Sequence, residues 1–450
     1  MNKPVSLRRV LTLRTVVSTC CGLAYAAISL LSCIQLASLL GGDSGWIAIL
    51  AAGLLAVLAA LCFCELNALY PTAAAVRLYI QEAFGEHFSL IVTFGYLLTI
   101  IAVIAADSYV VGSALTYAFN LPRSFSLLWL LALLGLSTGA NLRGMRVAGL
   151  LQDVTTYSLL ILLLVISLVA LFTHGFALHS PFDALGHPFD LVNAIAIGVF
   201  VFSGFEWVTP LSEEVTDIAQ IPRGMFVSLG LLGISYALFT VASSHLLDVH
   251  SAAVITSPVP QMLLARAALG QVGIWLMLLS TLCTAVMTFN GGFSTASRFL
   301  YAAAREDLLP AFFARLSVSR AVPSAAVICL AVCSAALAVV IYLTNLFPIL
   351  ILVGAVLEAL IYTIAGLCVI RLRRRRREAE RAFLIRGGLL FPWLTVAVFG
   401  LLALLASLGI GANVTPGLPL LITVAIMALS SLYVFLVIPR LRAAAVRRRT

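Results

Sequence analysis

Apolar runs of roughly twenty residues, each long enough to cross a hydrocarbon core of about 30 Å as a helix, recur from one end of the chain to the other. Short polar segments separate them. Read in order, they predict about twelve membrane helices: Leu13 to Leu40, Trp46 to Leu66, Phe88 to Tyr117, Phe125 to Ser137, Val147 to Phe172, Leu191 to Glu213, Met225 to Leu247, Val272 to Ala303, Val322 to Leu343, Phe347 to Ile370, Leu389 to Ile410 and Leu418 to Ile438. The first run follows Lys3, Arg8, Arg9 and Arg14 as a signal peptide's apolar core would. It stays apolar to Leu40, well past the roughly 7 to 15 residues of such a core, and so reads as a membrane helix.

The polar stretches between runs add no further domain. The longest, His174 to Asp190 and Asp248 to Ala268, are too short to bury a core of their own, so any chemistry has to sit among the helices. The expected organisation is a cytoplasmic N-terminus (1–12), a first five-helix unit (13–172), a second (173–370), a basic cytoplasmic loop (371–388), two further helices (389–438) and a basic cytoplasmic tail (439–450).

Composition agrees with this reading. The chain is 62% hydrophobic and 10% charged, against about 25% charged in a soluble domain. Its net charge of +9 could suggest nucleic acid, but the distribution argues otherwise. With a cytoplasmic N-terminus, every basic residue except Arg123 and Arg266 falls on the cytoplasmic side, as the positive-inside rule expects. The run Arg371 to Arg377 and the tail Arg447, Arg448 and Arg449 therefore set topology, and can also touch anionic lipid head groups. The location expected is the cell (inner) membrane.

The nine cysteines lie inside apolar runs, where thiols act as small hydrophobes. Cys62 and Cys64 lack a companion His or Cys at ligand spacing, so no metal site is expected. The six histidines form no H-E-x-x-H or similar pattern, which argues against a membrane enzyme, and nothing calls for a cofactor.

Two spans carry residues that interrupt a helix. In hydrocarbon every backbone polar group needs a partner, so irregular backbone persists only where it lines a protected cavity or binds something. The first span holds Thr19-Cys20-Cys21-Gly22-Leu23-Ala24, and the sixth holds Phe202-Ser203-Gly204-Phe205-Glu206. At 1.5 Å per residue Gly22 lies about 13 Å deep and Gly204 about 20 Å deep, both near the midplane. Taken singly, each is an ordinary packing glycine. Matched positions in two five-helix units instead point to an inverted-repeat transporter, with half-helix N-termini facing a solute carboxylate and freed carbonyls its ammonium. Cys20, Cys21, Gly22, Leu23, Phe202, Ser203, Gly204 and Phe205 are the candidate binding residues.

At these residues the chain resembles the amino acid-polyamine-organocation superfamily of permeases. Phe202 to Glu206, followed by Leu211-Ser212-Glu213-Glu214 and Ile221-Pro222-Arg223, is similar to that family's sixth helix and the loop beyond it. Glu65-Leu66 with Tyr70-Pro71-Thr72, Asn141-Leu142-Arg143-Gly144, Ser297 to Ala302, Asp307-Leu308-Leu309-Pro310 and Pro323 extend the likeness to the start of the ninth span. Two departures stand out: Cys20 and Cys21 precede a single Gly22 where the family often has a glycine pair, and Ala73-Ala74 replace small glycines after Tyr70-Pro71. The resemblance implies an all-α polytopic membrane protein with a 5+5 inverted-repeat, leucine-transporter-type core plus two C-terminal helices.

Ionisable residues inside a membrane are costly, so Asp107, Glu206 and Glu358 are candidates for gating or ion coupling. Glu206 can pair with a solute ammonium, brace a gate, or accept backbone N–H groups freed by the break. Glu358 has no basic residue in its span and either carries a proton or stays protonated between helices. Asp107, nearer the outer end of its span, is expected to snorkel into an external vestibule. Some proton-coupled members of the family place a fifth-helix lysine where sodium-coupled relatives hold the ion. Here Lys3 is the only lysine and that region reads Thr155-Thr156-Tyr157-Ser158-Leu159, which excludes lysine-based coupling. Carboxylate-based proton coupling, exchange, and sodium held by first-helix carbonyls with Ser294 and Thr295 stay open.

The function expected is secondary active transport by alternating access, with spans one, two, six and seven rocking against three, four, eight and nine. The solute is a small amine-bearing molecule, an amino acid first and a polyamine or other amine second, with transport, exchange and solute sensing as alternatives. The coupling ion expected, where there is one, is H+ or Na+, membrane lipid is a further partner, and no nucleic acid is expected.

Overall fold

The structure of the chain is a computed structural model that describes residues 9–40, 44–174, 188–248, 251–255, 257–317, 320–344, 347–376, 382–409 and 415–449. Among these residues, 11 helices are long and apolar enough to cross a membrane. The first expected crossing is different, being divided into α1 (Leu13–Ala24) and α2 (Ala27–Leu39). At 1.5 Å per residue neither half alone spans about 30 Å, but the two end to end do.

The remainder of the first unit is α3 (Gly45–Leu69), the short α4 (Ala75–Phe84), α5 (Glu86–Ala118), α6 (Phe125–Leu142) and α7 (Met145–His174). The second unit opens with α8 (Pro188–Phe202), which breaks and resumes as a 3-10 helix, Phe205–Leu211. It continues with α9 (Gln220–Leu246), α10 (Ala252–Ile255), α11 (Pro260–Arg305), α12 (Ser324–Thr344) and α13 (Phe347–Arg375). Then come α14 (Leu390–Leu408), α15 (Leu418–Leu432), a π turn at Tyr433–Val437 and α16 (Ile438–Arg449).

The inverted-repeat core thus appears as two five-helix units, each beginning with an interrupted helix. The fourth span is longer than its sequence suggested, reaching Leu142. Between the second and third spans, α4 was not anticipated. The polar stretch after the seventh span folds into α10 and the first arm of α11, which bends at Gly270 (φ 59°, ψ −136°). Most of the other long polar stretch, 175–187, lies outside the described residues.

Polarity is arranged as lipid requires. Leu136, Leu150, Phe172, Val272, Leu343 and Leu421 are more than half exposed, whereas Ser18, Asn67, Asn141, Gln152 and Asn290 are buried between helices. This is an integral membrane protein. Its helices form two groups: α1, α2, α3, α8 and α9 pack together, and so do α5, α6, α11 and α12. Each group draws helices from both five-helix units. α7 touches α1, α9 and α11, while α13 touches α3, α5 and α8, so each lies across the boundary.

Small residues set how closely helices approach. A Cβ added at Gly112 on α5 would lie 2.6 Å from the Ser126 carbonyl oxygen of α6, a backbone atom that cannot move without shifting its helix. One at Gly135 on α6 would meet nothing within 4 Å. Gly112→Ala is therefore expected to lower stability by roughly 1 to 3 kcal/mol through overpacking, read as a lower melting temperature in detergent, whereas Gly135→Ala leaves it unchanged or slightly raised.

Candidate functional site

The first break falls after the glycine that the sequence singled out. α1 runs through Cys20, Cys21 and Gly22 to Ala24, and the chain departs from helix at Tyr25 and Ala26, the latter extended at φ −60° and ψ 149°. Gly22 is a packing glycine, since a Cβ there would sit 1.9 Å from the Gln152 amide nitrogen of α7. What holds the break open is tertiary. The Tyr236 hydroxyl of α9 donates to the Ala24 carbonyl, and the Tyr25 and Ser235 hydroxyls share a hydrogen bond of 2.5 Å. The Tyr25 and Tyr236 rings meet edge to face at 5.3 Å. On the far side of the break α2 starts again, and the first N–H groups of any helix have no partner within it.

The second break lies where the sequence placed it. Gly204 takes a left-handed conformation, φ 113°, which glycine adopts without the steric cost a Cβ would bring. The following segment winds as 3-10 helix and contains Pro210, which has no N–H to give to an α-helical ladder. Glu206 organises this turn. Its carboxylate accepts from the Gly204 N–H at 3.2 Å, the Tyr96 hydroxyl at 2.5 Å and the Tyr362 hydroxyl at 2.9 Å. Accepting a backbone N–H freed by the break is thus one of the roles its carboxylate has.

A small cavity of about 20 Å3 lies between the breaks, room for roughly one water. Ala26 and Ser29 from the first break and Ser203, Gly204 and Trp207 from the second line it, with Phe200 of α8. Thr99 and Val103 of α5 and Glu358 of α13 complete the wall. Ser203 and Gly204, candidates for binding, and Glu358, a candidate for gating or ion coupling, line this cavity together, while Ala26, Ser29, Thr99, Val103, Phe200 and Trp207 join them without having been candidates.

The other candidates lie elsewhere. Cys20 and Cys21 are buried along α1, ahead of the unwound residues, and the Leu23 side chain lies outside what the structure describes. Phe202 is buried with its ring 5.9 Å from that of Tyr236. Phe205 packs on Phe63 and Tyr362. Asp107 corrects an expectation: it is fully buried rather than snorkelled outward, because α5 is enclosed by α6, α11, α12 and α13. Ser294 and Thr295 donate to protein acceptors, Ser294 to Asn141 Oδ1 at 3.0 Å and Thr295 to the Trp207 carbonyl at 2.9 Å. Thr288, also on α11, donates to the Gly22 carbonyl of α1 at 3.5 Å.

A buried polar chain crosses between the two helix groups beside this site. Asn141 of α6 donates to Asn290 of α11 at 2.9 Å, Asn290 to Gln152 of α7 at 3.1 Å, and Gln152 to the Ser18 carbonyl of α1 at 3.1 Å. Ser18 in turn donates to Asp153 at 2.5 Å. On the face where α1 begins, further ties close the protein. Val10 and Leu11 donate backbone N–H groups to the Glu214 carbonyl, and Thr216 returns one to Leu11. Arg298 of α11 pairs with the Glu214 carboxylate at 3.0 Å with both side chains buried, and Arg373 holds Glu65 through two bonds of 2.7 and 2.5 Å. Arg77, itself buried, pairs with Glu306.

A family model described as amino acid permease matches residues 11–438. The chain belongs to the amino acid permease family. Its family relatives are transporters rather than enzymes, and they sit within the amino acid-polyamine-organocation group. The chain is 28% identical over 381 residues to the Asc-type amino acid transporter 1 of Mus musculus, covering 79% of this chain and 69% of that protein. It is likewise 28% identical over 399 residues to the human large neutral amino acids transporter small subunit 2, covering 82% of this chain and 71% of that one. A Na+-coupled sialic acid symporter, solved substrate-bound and outward-open, superposes with a TM-score of 0.60 at 13% identity, covering 91% of both chains. This permease shares that symporter's leucine-transporter-type fold.

The closing ties should be measurable in the permease. Arg298→Ala would leave the Glu214 carboxylate buried without its partner, and removing one member of such a pair costs about 3 to 5 kcal/mol. The expected result is a large fall in melting temperature in detergent, with a smaller one for the double variant Arg298→Met, Glu214→Leu.

Proposed function

We propose that this permease is a secondary active transporter of amino acids that holds its solute between the two helix breaks. The observation that carries the reading is the cavity bounded by Ala26 and Ser29 on one side and Ser203 and Gly204 on the other. The start of α2 offers N–H groups and the positive end of a helix dipole to a solute carboxylate. Helix C-terminal carbonyls suit an ammonium, and Phe200 near the end of α8 lines the same space. An amino acid carries both groups.

Alternating access follows from the same arrangement. With the N-terminal face tied shut by Arg298, Glu214 and the residue 10–11 strap, the cavity would reach that side only after those ties part. The group containing α1, α2, α8 and α9 then rocks against α5, α6, α11 and α12. The distribution of basic residues supports an N-terminal face in the cytoplasm, with both termini there and the cell membrane as the location. Glu358 in the cavity wall also favours an amine as an alternative solute, since a carboxyl group recognises an ammonium with or without a carboxylate elsewhere on the ligand.

Two measurements test this. Purified protein in proteoliposomes should show uptake or counterflow of labelled amino acids and not of polyamines, and imposed proton, sodium or trans-solute gradients sort the coupling modes. Gly204→Leu, which forces a branched side chain into the left-handed position at the break, should abolish stabilisation of the melting temperature by amino acids while leaving membrane insertion intact. Unchanged binding by that variant would contradict the site.

A further inference from the structure

Among the described residues, three buried polar atoms on residues of the cavity wall have no hydrogen-bond partner. They are Glu358 Oε1, Thr99 Oγ1 and Trp207 Nε1, and all three residues are buried at 3% relative exposure. Buried polar groups are almost always satisfied, and one left bare in a cavity marks a place where something else supplies the bond. Two of the three are oxygens, and they differ from the other oxygens nearby. The Glu206 carboxylate already accepts three hydrogen bonds, and the Thr295 hydroxyl is engaged with the Trp207 carbonyl. Glu358 lies against Glu206, Tyr362 and Trp207, yet its Oε1 and the Thr99 hydroxyl take part in neither the turn's hydrogen bonds nor the closing ties.

They also come from different elements than the solute's backbone groups would meet. Ala26, Ser203 and Gly204 sit on the broken helices, whereas Thr99 lies on α5 and Glu358 on α13. A solute anchored at the breaks by its carboxylate and ammonium would direct its side chain at that second wall. The wall is narrow, with Phe200, Val103 and Trp207 crowding it.

We propose that Glu358 and Thr99 form the side-chain-reading end of the site, and that this permease prefers amino acids with a short hydrogen-bonding side chain, a hydroxyl, amide or amine, over apolar ones of the same shape. The inference rests on the amino acid reading above. Its physical basis is asymmetric. A polar side chain satisfies both bare oxygens, and does so whether the carboxyl group is ionised or protonated, because one form accepts and the other also donates. An apolar isostere expels any water that had served them and leaves both unsatisfied, which is how a polar site rejects an analogue that lacks the polar group.

Threonine and valine have nearly the same shape and differ in one hydroxyl, so they form the probe pair, with serine and alanine as a second. In proteoliposomes, unlabelled threonine should compete for uptake of labelled serine roughly tenfold or more better than valine does. Thr99→Val, a near-isosteric change, should narrow that ratio severalfold, and Glu358→Leu should bring it close to one. If Glu358→Leu does not fold, the wild-type ratio and Thr99→Val decide the matter alone. Valine competing as well as threonine in the wild-type protein would overturn the inference while leaving amino acid transport standing, as would a threonine preference untouched by Thr99→Val. Failure of every amino acid to be taken up or to raise the melting temperature would overturn both.

Discussion

A helix in hydrocarbon can stop only where something else answers its open backbone groups, and this constraint organises the molecule. At Ala24 the answer is the Tyr236 hydroxyl, and at Gly204 it is the Glu206 carboxylate. Each supporting side chain is in turn held by others: Tyr236 by the rings of Tyr25 and Phe202, Glu206 by Tyr96 and Tyr362. The interruptions are thus supported from several neighbouring helices, among them α5, α9 and α13. Removing one support would free a backbone group where no water can replace it, so the breaks are properties of the assembled fold and not of the local sequence alone.

That distinction explains what could be read in advance. The membrane helices were legible because hydropathy over twenty residues is a local signal with few alternatives. The second break was legible too, since Gly204 must take a conformation that other residues resist and Pro210 follows it closely. At the first break the visible glycine, Gly22, serves a close approach to Gln152, and the chain unwinds at Tyr25 and Ala26, neither of which is a helix breaker. Only the hydroxyls that pin them from α9 explain the position, and those lie more than two hundred residues away in sequence.

The same limit applied to the cavity wall. Thr99 and Ser29 are hydroxyl residues among many, and only the folded chain separates them from those bonded to their own helices. Asp107 was misjudged for a related reason: depth along a helix was readable, but which faces of α5 would be covered was not. The buried line Asn141, Asn290, Gln152 and Ser18 joins four separate elements and leaves no trace in any one of them.

The N-terminal strap has a consequence for how force is shared. Residues 10 and 11 hydrogen-bond to Glu214, and Thr216 bonds back to Leu11, so the chain just ahead of α1 is stitched to the chain just beyond the 3-10 segment. The leading helices of the two inverted units therefore share a short common hem at one surface. A displacement of either one is opposed by its counterpart for as long as these bonds hold, the backbone ones and that of the Thr216 hydroxyl to the Leu11 carbonyl.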